Sequence, residues 1–345
     1  MHRVTPEEGA ARPRLLLDTN VWSMLGRIDG GPAFYAAMAE AGVEVVLAPS
    51  ILLELARSGN VVASGRDVRA MLAGPRRALP TEAELACHDV ITQVRRLHPG
   101  WLRPDPDVAR WKQLHRYWTV ELWHETRQNW PAVVKQVRTL PTADADAVYA
   151  VQRENHKVAR DAGETSADWY SPAPTSPGWL RDLWPPEPGL AAWRSEGHGI
   201  FSLALAEAVQ GNLGNGTLRT LADWLETHID PRRITDRAWA QFWISEIEAA
   251  DVPHHWLANT AQRQQVLAKV TSSSPRDAQH ASYLVQCDLF LTGDRRFAAC
   301  LQDMAGSAPF DFAEVVQVPG DASNLIAELR ACVGAASGNR SSRLA

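Results

Sequence analysis

The 345-residue sequence is short of cysteine, of long apolar runs and of net charge, and each shortage excludes a class of protein. Its four cysteines, Cys87, Cys287, Cys300 and Cys332, show neither CxxC nor CxxH spacing. That argues against a structural zinc site and against a disulfide scaffold, and leaves them as small core residues. Nowhere do about 18 apolar residues follow one another, so no membrane span is expected. The opening MHRVTPEEGAARP carries acids and prolines in place of an apolar stretch, so no secretory leader is expected either, and the expected location is the cytoplasm. A formal charge of −5 provides no global cationic field, so any polyanion would have to be held by a local patch. Only the tail, residues 336–345 within GAASGNRSSRLA, is poor enough in apolar side chains to be expected disordered.

What is present is an apolar content of 45%, enough for a sizeable core. Residues 14–18 read as a strand, 20–28 and 31–41 as helices, VEVVLA (43–48) as a strand and PSILLELARSG as a helix closing on Gly59. Far downstream, SSSPRDAQHASYLVQ reads as a helix, DLFLTG as a strand, DRRFAACLQ as a helix and EVVQV as a strand. Strands alternating with helices predict a parallel sheet in an α/β domain. Between these blocks the pattern turns to helix-length amphipathic segments and holds thirteen of the fourteen tryptophans. It also holds the proline-rich SPAPTSPGWLRDLWPPEPG (171–189), which predicts a long loop. The expected organisation is an α/β domain split into residues 12–61 and 257–335, interrupted by a helical, tryptophan-rich insertion at 62–256.

Four acids stand out. Asp18 ends the first strand, Glu54 lies inside ILLELA, Asp277 opens a helix and Asp294 follows DLFLT. Ligand sites of open parallel sheets form beyond the carboxyl ends of the strands, where Asp18 and Asp294 fall. Each acid also has a structural role open to it: Asp18 and Asp294 as helix N-caps, Asp277 in a capping box with Ser274, and Glu54 in an i, i+3 pair with Arg57. Four carboxylates drawn together would repel one another and raise their own pKa values unless a cation neutralises them. Oxygen-only ligands suit Mg²⁺ or Mn²⁺, and such ions serve phosphodiester hydrolysis.

The blocks LLLDTNVW, APSILLELAR, PRDAQHASYL and DLFLTGDRRF, in this order, resemble the PIN-domain ribonucleases. The resemblance covers roughly residues 12–60 and 260–320, less than half of the chain, with far more sequence between the second and third blocks than compact members carry. It implies a three-layer α/β/α PIN-like domain with a central parallel sheet. The implied activity is a Mg²⁺- or Mn²⁺-dependent endoribonuclease acting on single-stranded RNA, leaving a 3′-hydroxyl and a 5′-phosphate. Asp18, Glu54, Asp277 and Asp294 match the metal-binding and catalytic acids, and Asn20 and Thr292 match supporting polar positions. Arg295 and Arg296, beside Asp294, are candidates for phosphate contacts. The implied partners are RNA and, in some members, an antitoxin or regulatory protein; a homodimer is also open.

Two other classes compete with this reading. A haloacid dehalogenase-like phosphohydrolase also begins with a strand-terminal aspartate but needs a second one two residues on, where this chain has Asn20. A non-catalytic RNA-binding or protein-interaction module would rest on the insertion. From Arg95 to Arg138 there are nine Lys or Arg against four acids, interleaved with Trp101, Trp111, Trp118, Trp123 and Trp130. Basic and aromatic side chains together suit single-stranded nucleic acid, yet the seven-residue spacing of Trp111 and Trp118 describes a buried seam. His280, one turn after Asp277, and His254 with His255 could approach the site, but lone histidines are more often packed or exposed than catalytic.

Overall fold

The computed structural model describes residues 12–139, 153–154, 157, 169–170, 178–183, 190–211, 216–268, 274–319 and 324–343. Its strands are β1 (Arg14–Leu17), β2 (Glu44–Leu47), β3 (Arg77–Ala78), β4 (Trp169–Tyr170), β5 (Leu190–Ala191), β6 (Leu289–Thr292) and β7 (Glu314–Gln317). Five of them form one parallel sheet in the order β3-β2-β1-β6-β7. Leu15, Leu16, Leu17, Val46, Leu47, Phe290 and Leu291 are all fully buried, as strands covered on both faces by helices must be. The fold is the expected α/β/α arrangement with a helical insertion.

The chain runs outward from β1 to β2 and β3 on one side, and β6 and β7 lie on the other. The switch point therefore falls between β1 and β6, whose residues are more than 270 positions apart in the sequence. Leu15 pairs with Leu289 and Leu17 with Leu291, and the Asp18 amide donates to the Leu291 carbonyl at 2.9 Å. This register brings the ends of the two strands level.

The first half of the domain extends beyond residue 61. Helix Val61–Met71, capped by Asn60, packs along helix Thr19–Arg27, and Ser23 Oγ donates to Asp67 at 2.8 Å. Gly26 permits this approach: a Cβ there would lie 2.8 Å from the Asp67 backbone. β3 then adds to the sheet edge beside β2. Two residues cannot display a period-2 alternation, which is why this strand leaves no pattern in the sequence.

The insertion begins with helix Glu82–Leu97, whose N-cap Thr81 accepts from the Glu84 amide at 3.1 Å. It shares one apolar core with the α/β domain. Polar ties also cross the junction: Gln286 Nε2 lies 2.9 Å from His254 Nε2 and Tyr283 donates to Glu82 at 3.0 Å. Trp224, Trp239, Trp243 and most other tryptophans are buried, and Trp111 and Trp118 are half-buried against the same core, so the seam reading describes them.

Two expectations fail locally. The proline-rich stretch is not all loop: Gly178–Leu183, a run without proline, forms a short helix between the proline clusters. The rest of that stretch lies outside the described residues. The tail is not disordered throughout, since helix Leu325–Arg343 continues into residues 336–343. Leu325, Leu329 and Val333 are buried on the core, and a helix nucleated there extends by adding one hydrogen bond per residue.

Candidate active site

β1 and β6 each run into a helix through an aspartate. Asp18 caps helix Thr19–Arg27, its Oδ1 accepting from the Thr19 amide at 2.7 Å. Asp294 caps helix Arg295–Ala305, its Oδ1 accepting from the amides of Arg296 and Phe297 at 2.8 and 3.0 Å. The capping roles open to both residues are thus real. They use one oxygen of each carboxylate and fix both groups beside the switch point.

Asn20 and Thr292 bind the two turns together. Thr292 Oγ1 donates to Asp18 Oδ2 at 2.5 Å and accepts from the Asp294 amide at 3.0 Å. Asn20 donates to the same Asp18 oxygen at 2.7 Å, while its Oδ1 accepts from the Gly293 amide at 2.6 Å. Thr292 is fully buried and Asp18 is 5% exposed.

Helix Pro49–Arg57 leaves β2 and brings in Glu54, which accepts from Thr19 Oγ1 at 2.5 Å. Its other oxygen faces Arg276 at 3.8 Å. Asp277 comes from helix Ser274–Ala281, more than 220 residues later, and accepts from Gln265 Nε2 at 3.3 Å. The side chain of Ser274, the other half of the capping box, lies outside the described residues. Burial pushes the Asp277 carboxyl up to about 7; the neighbouring Asp18, Glu54 and Asp294 add to the rise and His280 opposes it. All four acids therefore share one electrostatic neighbourhood, despite the separation in sequence.

His280, which by sequence is more often packed or exposed than catalytic, proves central. It is 1% exposed, with Nδ1 3.3 Å from Asp18 and Nε2 3.6 Å from Glu54. Burial works against its charged form, but Asp18 and Glu54 outweigh it and hold the imidazole up at about 9. In turn, Asp18 sits below the usual carboxylate range: burial would raise it, and His280, Thr292 and Thr19 more than compensate. The available signal was spacing, since His280 lies one turn after Asp277 on the same helix face.

Arg276 approaches Glu54, whereas the expected i, i+3 pair of Glu54 with Arg57 is not formed among the described residues. The Nε atoms of Arg57 and Arg276 are buried without a hydrogen-bond partner, and the Arg57 guanidinium is lowered by burial and by the charge of Arg276. Arg295 and Arg296, the sequence candidates for phosphate contacts, are exposed on the first turn after Asp294. Among the described residues no three His, Cys, Asp or Glu side chains already stand as a ready-made metal cage. Carboxylate oxygens are the donor type that hard divalent cations take, and the charges of Asp18, Glu54 and Asp294 register on Asp277.

No protein-family model, no curated protein and no solved structure matches the chain.

Proposed function

We propose that the chain is a metal-dependent ribonuclease of the PIN type, hydrolysing RNA phosphodiester bonds in single-stranded regions. The observation that carries this reading is the grouping of Asp18, Glu54, Asp277 and Asp294 at the β1/β6 switch point. Asp18 and Asp294 would hold Mg²⁺ or Mn²⁺ directly, with Glu54 and Asp277 holding a second ion or orienting water. An ion held there would supply charge against the phosphate and lower the pKa of water.

The chain's own groups supply the rest. Thr292 and Asn20 fix the Asp18 carboxylate, so its direction is set before substrate arrives. Asp277, whose carboxyl burial pushes up to about 7, is the acid that would keep a proton near neutral pH where no ion is bound, and would release it on binding an ion or to an oriented water. Arg276, beside Glu54 at 3.8 Å and with a buried Nε that has no hydrogen-bond partner, would be available to a flanking phosphate. An antitoxin or regulatory protein and a homodimer remain proposals of the resemblance alone.

One observation favours a second reading, a non-catalytic RNA-binding or protein-interaction module. His280 already supplies positive charge between Asp18 and Glu54, as it would in a pocket that no longer takes metal. The dehalogenase-like reading loses ground, because the side chain two residues after Asp18 is an amide engaged with Asp18 and Gly293.

The deciding experiment incubates wild type, Asp18→Asn and Asp294→Asn with labelled single-stranded RNA and Mg²⁺ or Mn²⁺. Cleavage by wild type and its loss in both variants is expected. Equal cleavage by all three proteins overturns the assignment, and Mn²⁺-insensitive melting with no cleavage supports the binding module.

A further inference from the structure

A second candidate site lies at the β3 edge of the sheet. A cleft of about 370 Å³ is lined by Pro75, Arg76, Ala78, Val120, Trp123, His124 and Arg127, among others. That volume is at the lower end of the roughly 300–1,000 Å³ typical of ligand pockets. One wall comes from the segment leading into β3, the other from the insertion.

The cleft is cationic. Arg76 is anchored by the carbonyls of Leu72 and Gly74. Arg127 and His124 are exposed and make no ion pair or hydrogen bond among the described residues. Burial lowers Arg76, and the Arg127 charge lowers it further, as expected of two guanidiniums held near one another without an anion between them. Pro75 and Val120 give the cleft apolar surface, Val120 being 45% exposed, while Trp123 lines it as a largely buried residue, 5% exposed. Val120 and Thr119 stand on a π-helical turn, Tyr117–Glu121, a local widening that recurs at functional sites. Positive charge beside apolar surface is a combination that holds a nucleotide: phosphate against cations, sugar or base against the apolar wall.

The position suits the acidic pocket. Ala78 pairs with Leu47, the last residue of β2, from which the helix bearing Glu54 departs. Two strand spacings separate β3 from β1, roughly 10 Å at about 4.8 Å per strand. We propose that this cleft binds the phosphate and adjoining sugar or base of one nucleotide unit, holding a single-stranded RNA beyond the β3 edge while a neighbouring segment reaches the acids. The proposal rests on the ribonuclease reading for its polymer ligand. The cleft chemistry also allows a free nucleotide.

The experiment is run in chelator, so that cleavage does not intervene. Short labelled single-stranded RNA is titrated into wild type, Arg127→Glu and Val120→Trp by fluorescence anisotropy between about 50 and 200 mM salt. AMP is titrated separately by calorimetry. Both substituted positions are exposed, so folding should be unaffected, and Val120→Trp fills the cleft without changing charge. Each variant should weaken RNA binding about tenfold or more. Arg127→Glu should also flatten the salt dependence, by about 0.7 in log–log slope for each phosphate no longer neutralised.

AMP binding that Val120→Trp abolishes identifies a free nucleotide as ligand, whereas RNA binding lost without any AMP binding identifies the strand. Unchanged RNA and AMP binding in both variants overturns the proposal, and so does an effect of Arg127→Glu alone, which reports only general surface charge. Wild-type cleavage with unchanged binding by the variants removes the cleft and leaves the nuclease. Cleft binding without cleavage in any metal does the reverse.

Discussion

Asparagine in place of Asp18 and of Asp277, one at a time, should move stability in opposite directions in metal-free buffer. Every oxygen of Asp18 faces a donor: Thr19 N at Oδ1, and Asn20 Nδ2 and Thr292 Oγ1 at Oδ2. An amide nitrogen at either position therefore meets an N–H or O–H, and at least one hydrogen bond to a charged acceptor is lost. Such bonds contribute about 1.5–3 kcal/mol, and the lost partner of the buried His280 adds to that. Asp18→Asn is expected to be less stable by about 3 kcal/mol.

Asp277 behaves differently, because its carboxyl rises from 3.8 to about 7 on folding. Between those pH values the folded chain keeps a proton that the unfolded chain has released, so this residue lowers stability as pH rises through the window. Three units correspond to about 4 kcal/mol in full. Asp277→Asn removes that pH-dependent loss. It should exceed wild type by up to about 4 kcal/mol at pH 8, with the gain shrinking toward zero as pH falls to about 4. Urea denaturation in chelator at several pH values measures both variants. An Asp277→Asn protein no more stable than wild type at pH 8, or one whose gain ignores pH, refutes the picture of a crowded acidic pocket.

Three further outcomes follow from the same structure. His280→Gln removes the buried imidazolium beside Asp18 and Glu54; since folding raises that group to about 9, its contribution is full below about pH 6.5 and lost as pH rises through 9. The variant should lose about 3 kcal/mol at pH 6 and approach wild type above pH 9, as chemical denaturation will show. His255 is held down to about 4, first by burial and despite its bond to the Trp193 carbonyl, so its neutral form favours folding above about 6.5. The His255 contribution should fall by about 3 kcal/mol as pH drops from 6.5 to 4, against the opposite change from Asp277, and His255→Gln should remove that contribution in acid melts. Gly26→Ala would set a Cβ 2.8 Å from the Asp67 backbone, so the two packed helices must part; a loss of about 1–3 kcal/mol is expected in thermal melts.

Local patterning made much of the domain legible in the sequence. RLLL, EVVL and LFLT are short apolar runs bounded by helices, and their burial on both faces requires a parallel sheet. Strand-terminal acids were legible for the same reason, since a carboxylate directly after an apolar run can only lie at the strand's carboxyl end. β3 was not legible, because two residues carry no period, and the helix Gly178–Leu183 was hidden by the prolines on either side of it.

What only the tertiary structure decided is which distant groups share a dielectric environment. The sequence named Asp18 and Asp277 as acids, but only β1–β6 pairing and the packing of helix Ser274–Ala281 put their charges within reach of each other. The role of His280 had the same origin: a histidine among apolar neighbours looks like core until the fold places carboxylates on both of its nitrogens. Charge, burial and hydrogen bonding of a side chain depend on partners hundreds of residues away, and neither periodicity nor composition carries that information.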